Sequence, residues 1–313
     1  MTTDRPLLGI ALMLGFCLLA PLADALAKLL GPHMGVGQLV MLRFAFQAAI
    51  LVPLTLATGR AWRMPPHIAV LVALRTVLHI LGIGTMFLAL LSLPLADAIA
   101  IAYVMPFLML LIGWLFLGEE VGWRRIAASL VGFGGTLMVV QPAFTDVGWP
   151  ALLPLAVAVI FALFMAVTRR IARDTDPVGM QAVSALMALV PLVPLTLIAP
   201  GPMLGWTPPS GDGWWLIAAM GVAGTAAHLL MTWSLRYAPA ATLAPMQYLE
   251  IPAATLVGFV IFADLPGPLA SAGIAVTVAA GVTIVIRERA ILRASRPTPP
   301  GPPAGRPPEG SPP

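Results

Sequence analysis

Again and again this chain presents an apolar stretch of about 20 residues, the length that crosses the hydrocarbon core of a bilayer, joined to the next by a short link. Ten such stretches can be marked, at about residues 7–30, 36–58, 68–92, 95–117, 124–141, 149–168, 177–199, 213–235, 239–262 and 268–286. No water reaches the bilayer core to satisfy backbone N–H and C=O groups, so each stretch has to be helical. Of the 313 residues 59% are hydrophobic and 10% charged, against about 25% charged in a soluble domain. The chain therefore reads as an all-α, multi-pass membrane protein with ten transmembrane helices, and the short links make neighbouring helices antiparallel.

The arginines test that count. Arg5 precedes the first span; Arg60 and Arg63 fall in the second link, Arg124 and Arg125 in the fourth, Arg169, Arg170 and Arg173 in the sixth, and Arg236 in the eighth. Five more, Arg287, Arg289, Arg293, Arg296 and Arg306, follow the last span, whereas the odd-numbered links hold neither Lys nor Arg. Positive charge collects on the cytoplasmic side, which places both termini inside and requires an even number of spans. The formal charge of +4 is thus spent on topology and does not indicate nucleic acid. Arg5, the apolar stretch after it and the small residues Ala23, Ala25 and Ala27 imitate a secretion signal. The stretch runs on to Leu30, which is spanning length, so no cleavage is expected. Cys17, the one cysteine, can form no internal disulfide. Sixteen arginines against one lysine fit a GC-rich bacterial gene, hence a bacterial inner membrane.

The chain also repeats itself. A shift of 146 positions brings Ala98 onto Ala244, Pro106 onto Pro252, Phe116 onto Phe262, Gly135 onto Gly281 and Val139 onto Val285, without a gap. Five spans per half is an odd number, so the halves enter the membrane in opposite directions. That is the inverted-repeat construction of secondary transporters, which bind substrate near the midplane where the halves meet. The expected division is 5–145 for the first repeat, 146–290 for the second, and 291–313 for a disordered, Pro-rich cytoplasmic tail. Small residues at Ser129, Gly132, Gly134, Gly135, Ser271, Gly273, Ala275 and Gly281 permit close helix packing, within one chain or across a homodimer that nothing else supports.

Polar side chains at membrane depth are functional candidates by default. Glu250 lies mid-span with Gln247 and Tyr248, two residues before Pro252, and no arginine is near it in sequence. It is the first candidate for proton or cation recognition, with Arg43 or His79 as alternative structural partners. Asp24 and Lys28 are four apart on one helical face, spaced either for an ion pair or for substrate contact. Arg43 lies at similar depth and either snorkels or shapes the cavity. Arg75 and His79 sit one turn apart in the third span; Arg75 either snorkels or serves the cavity, His79 and His228 are each either a hydrogen-bonded packing residue or a proton relay, and Asp97 opens a helix, where its charge suits the dipole. Tyr103 and Pro106 nearly mirror Tyr248 and Pro252, and the two prolines would kink opposing helices. Trp233, Tyr248 and Trp114 offer flat walls for an aromatic or cationic ligand. The expected cavity is lined by the first, second, third, fourth, eighth and ninth spans.

No phosphate loop, metal-spaced His/Cys/Asp cluster or Gly-x-Ser-x-Gly elbow is present. No catalytic residue, metal or cofactor is therefore expected. An intramembrane transferase would have to draw on the scattered His79, His228 and Asp97, and a scaffold without flux is the other alternative.

LADALAKLL at 22–30, MLRF at 41–44, PLADAIAIAYVMPFLMLLIGWLFLGEE ending at Glu120 and SLRYAPAATLAPMQYLEIPAATLVGFVIFAD ending at Asp264 occur in an order and spacing that resemble the EamA family of the drug/metabolite transporter superfamily. The resemblance covers about residues 7–287. It implies ten helices in two inverted five-helix repeats and transport of a small organic solute, as import or export. The Asp24-to-Lys28 version of the first span looks most like a branch that includes S-adenosylmethionine carriers and riboflavin importers; other members export amino acids, amines or metallophores. Many members end the ninth span in an acidic loop like Gly118–Glu120, whereas here Asp264-Leu265-Pro266 stands in its place.

Overall fold

The computed structural model describes residues 5–116, 118, 122–199, 201, 203–209, 211 and 213–294. Among these there are twelve α-helices, one 3-10 turn and no strand. The helices are α1 (Pro6–Leu30), α2 (Val36–Ala57), α3 (Pro66–Leu90), α4 (Leu95–Ala102), α5 (Met105–Phe116), α6 (Trp123–Val147), α7 (Leu153–Ile171, entered through the turn Trp149–Leu152), α8 (Pro177–Ile198), α9 (Gly213–Tyr237), α10 (Ala240–Gln247), α11 (Glu250–Phe262) and α12 (Pro268–Ala294). Prolines open α1, α3, α7 and α8, where a missing N–H costs no helical bond. Asp176 caps α8, its carboxylate accepting from the N–H groups of Val178 and Gly179 at 3.1 and 3.0 Å.

Among the described residues, seven helical segments are by length and composition apolar enough to cross a membrane, Leu95–Leu115 counting as one; Glu250–Phe262 and parts of α6 and α12 form shorter apolar helices. The surface confirms the solvent these helices expect. Val190, Ile198 and Val260 are at least 72% exposed while Arg75, Gln181 and Gln247 are buried, an arrangement that suits lipid outside and polar contacts within. The expected tail is helical through Ala294, and from residue 295 on it lies outside the described residues. The side chains of Arg124, Arg125 and the arginines from 287 onward lie outside them too.

Packing pairs α1 with α9, α3 with α7, α2 with α8, α6 with α12, α4 with α11, and α5 with α10. In each pair one helix comes from each half of the chain, so the largest packing seams run between the halves. Small residues make the closest approaches. A Cβ on Gly135 would strike Thr277 and the carbonyl of Gly273, and one on Gly132 would sit 2.7 Å from the Tyr248 ring. These glycines of the expected stripe therefore serve packing inside the chain.

Both helix interruptions fall where a proline denies its N–H to the residue four back. Between α4 and α5 the bonds tighten to three-residue steps, Tyr103 N–H to Ala100 O and Val104 N–H to Ile101 O. Between α10 and α11 the same happens from Leu249 to Met246 and from Ile251 to Tyr248. Pro106 and Pro252 thus stand just inside the second half of each broken helix, and the bends lie at 103–104 and 248–249 rather than at the prolines.

Candidate functional site

The two breaks meet in the middle of the bundle. Tyr103 ends α4 and Glu250 begins α11, so the interruption of one helix faces that of the other. The Tyr103 hydroxyl donates a short hydrogen bond to the Glu250 carboxylate. Both residues are buried, at 3% and 6% exposure. The Tyr103 and Tyr248 rings lie 5.9 Å apart, and Tyr248 is anchored away from the cavity, its hydroxyl donating to Ser129 O at 3.3 Å.

Tyr103 and Glu250 form one wall of a narrow cavity, with Asp24 from α1, Arg43 from α2 and His228 from α9 around it. Apolar lining comes from Phe16, Ile83, Met86, Ile99, Val157 and Phe161. The space that the centre of a water molecule can reach is about 50 Å³. That holds a few waters, well short of the roughly 300 Å³ of a small-molecule site. A metabolite of any size requires the walls to part.

The charged groups inside are incompletely paired. Arg43 Nη2 donates to His228 Nδ1 at 3.2 Å, which requires that nitrogen to carry a lone pair. Nδ1 also lies 3.2 Å from Gly224 O and cannot donate there while it accepts from Arg43. Arg43 Nη1 and His228 Nε2 have no hydrogen-bond partner, although both are buried. Room for the guanidinium exists because residue 224 is glycine; a Cβ there would overlap it. Buried donors without partners are rare, and next to a cavity they are what a ligand's acceptor atoms would satisfy.

Five candidates of the sequence thus come together: Asp24, Arg43, Tyr103, His228 and Glu250. The rest stand elsewhere. Lys28 does not pair with Asp24. Its ammonium donates to Leu93 O at 2.7 Å, lies 3.9 Å from Asp264 and sits over the Phe262 ring, because it projects to the helix end while Asp24 turns inward. The partner of Glu250 is Tyr103, and neither Arg43 nor His79 binds it. His79 is stacked between Phe164 at 4.7 Å and His228 at 4.3 Å, both its nitrogens unpartnered. Gln247 points its amide at the thioethers of Met165 (3.1 Å) and Met13 (3.9 Å). Trp233 packs beside Leu51, Val178 and Ala182. Trp114 is 61% exposed, in an apolar groove with Phe107, Leu110, Leu111 and Ile126. Asp97 and Asp264 border a separate surface pocket. Arg75 lies below the cavity, among hydroxyl groups. The α7 wall, Val157 and Phe161, was not among the expected spans; no polar residue in that stretch marks it in sequence.

Comparison with known proteins agrees with this architecture. The profile described as the EamA-like transporter family matches twice, over residues 7–141 and 148–287. A riboflavin transporter of Rhizobium johnstonii is 30% identical over 250 residues, 78% of either chain. An S-adenosylmethionine uptake transporter of Rickettsia felis is 23% identical over 85% of this chain and 88% of its own. A pseudopaline exporter of Pseudomonas aeruginosa is 26% identical over 71% and 74%. One solved crystal structure aligns with a TM-score of 0.67 at 21% identity, covering 91% of this chain and 98% of that one, which is a likeness of fold.

Proposed function

This chain belongs to the EamA-like transporter family, and from that membership we propose that it carries a flat heteroaromatic metabolite across a bacterial inner membrane by alternating access. That it is a multi-pass membrane transporter for a small molecule, and no enzyme, follows from the family and its relatives. The observation that carries the finer reading is the narrow cavity at the two helix breaks, with carboxylates on one side, an incompletely bonded Arg43 on another, and Phe16 and Phe161 as flat apolar faces. A ring system with acceptor atoms toward Arg43 and a donor toward Asp24 or Glu250 fits these groups. Riboflavin, named for the 30% identical relative, is the first substrate to test, and S-adenosylmethionine the second.

In this reading the chain has ten spans, α4–α5 and α10–α11 each forming one broken span, in two inverted repeats at 5–145 and 146–290. Support comes from the double profile match and from the equal lengths of corresponding helices, 25 residues for α3 and α9 and 22 for α2 and α8. The packing pairs add to it: exchanging the halves turns α1–α9 into α7–α3 and returns α2–α8 and α6–α12 to themselves. Both termini and the arginine-bearing links face the cytoplasm. Glu250 is the proton-coupling group, its carboxyl exchanging Tyr103 for substrate. The carrier works as a monomer, its small-residue seam being used internally.

The test is uptake. In a bacterial strain that depends on external riboflavin, the wild-type chain restores growth at low riboflavin and Glu250→Gln does not, at equal membrane expression. Uptake of labelled S-adenosylmethionine alone would move the substrate to that molecule, and uptake of neither would sink the heteroaromatic reading.

A further inference from the structure

Below the cavity lies a second polar layer that the proposed site does not use. Arg75 on α3 is fully buried. On α3 it precedes the cavity residue Ile83 by eight positions, about 12 Å along a helix, toward the end that carries Arg60, Arg169 and Arg236. Its Nε donates to Thr168 on α7 at 2.9 Å, Nη1 to Ser184 on α8 at 3.1 Å, and Nη2 to Thr232 on α9 at 3.5 Å. One side chain therefore ties four helices together.

All these partners are neutral. The ion pairs Lys28–Asp264 and Arg60–Asp176 lie elsewhere and do not involve Arg75. The hydroxyl protons are already committed: Thr168 donates to Phe164 O, Thr232 to His228 O, and Ser184 to Thr76, which donates to Val72 O. Each oxygen thus turns a lone pair to the guanidinium, Thr232 also accepting from Gln181 Nε2 at 3.1 Å. Between this layer and the cavity stands a stack of rings, with the Arg75 guanidinium 4.5 Å from the Phe164 ring and Phe164 stacked on His79.

A cation buried without a counter-ion is costly, and the hydroxyls return part of that cost. Water entering from the arginine-bearing end would return more. The closed layer is therefore held by a small difference between two large terms. We propose that Arg75 is a positioning residue for transport: its hydroxyl-bound guanidinium closes the inner end of the path, and its hydration stabilises the inward-open state. This rests on the alternating-access reading above.

Opposite substitutions then act in opposite directions. In Arg75→Met no buried charge demands water, and the closed layer becomes more stable. In Ser184→Ala with Thr232→Val the charge remains but two of its three hydroxyl partners are gone, leaving Thr168 alone, and the layer opens. The reporter is Ala20→Cys in the cavity wall, in a Cys17→Ser background, labelled by a membrane-impermeant maleimide in inside-out vesicles. Relative to Arg75-containing protein, we expect labelling at least about threefold slower in Arg75→Met and at least about threefold faster in the hydroxyl-deleted variant. Because Arg75→Met is the riskier substitution for folding, Arg75→Lys is run beside it, with monodisperse elution required of each. Equal labelling in all variants, or a shift of both in the same direction, would overturn the role of Arg75. A cysteine that no variant exposes from either face, in inside-out or right-side-out vesicles, would instead overturn alternating access itself.

Discussion

Glu250 and Arg43 are the two charges whose surroundings make the strongest demands. Glu250 keeps one hydrogen-bond donor, Tyr103, in a cavity it shares with Asp24, Arg43 and His228. Tyr103→Phe leaves that carboxyl without its partner, which costs roughly 1–3 kcal/mol for a buried group; we expect a lower melting temperature and weaker uptake, with growth complementation reporting the second. Gly224→Ala would push the Arg43 guanidinium from its place against α9. The expected outcome is loss of substrate-dependent thermal stabilisation, since a ligand that binds the folded state raises the melting temperature, with the empty protein still folded. Lys28 behaves differently. Its pair with Asp264 is long and partly exposed, a kind that contributes about 0–1 kcal/mol, so Asp264→Asn, which leaves the Lys28 bond to Leu93 O in place, should keep the melting temperature within a degree or two of wild type.

At the scale of elements, the seam of α6 with α12 depends on missing side chains. Gly135→Ala forces a methyl into Thr277 and the Gly273 carbonyl, an overpacking that costs about 1–3 kcal/mol and should lower the melting temperature by several degrees. Gly134→Ala, on the open side of the same helix with nothing within 4 Å, should be neutral or slightly stabilising; a scan of both proteins under one condition checks the pair. The breaks make the complementary point. A proline removes one N–H from the ladder, and the chain answers by bending two to four residues earlier, where Tyr103 and Tyr248 stand. This is why the bends fall ahead of Pro106 and Pro252, and why Glu250, as the first residue of α11, is brought opposite the end of α4.

For the whole molecule, the cross-half packing has a consequence for folding. Because α1 packs on α9 and α3 on α7, residues 5–145 expressed alone lack the partners of their polar and small-residue faces. We expect that fragment to be aggregated or degraded in membranes, and co-expression with 146–313 to restore a detergent-stable complex, read by co-purification. A first half that is monodisperse alone would show that the interface between halves contributes less than the packing indicates. The 50 Å³ cavity belongs to the same scale: it lies between the halves and can admit a metabolite only when they move apart.

The membrane class, the helical segments, the distribution of arginines and the family resemblance were legible from residues alone, because span length and the cost of charge in hydrocarbon are properties of short stretches. So was the list of intramembrane polar residues, from which Asp24, Arg43, Tyr103, His228 and Glu250 emerged as one cavity. What the stretches could not contain is which helix faces which. The partner of Glu250 is 147 positions away, that of Lys28 lies in the turn before α4 rather than on its own helix face, and the hydroxyls that hold Arg75 come from three other helices. Pairings of that kind have no local signal. They are decided when two halves that cannot satisfy their polar groups separately pack against each other.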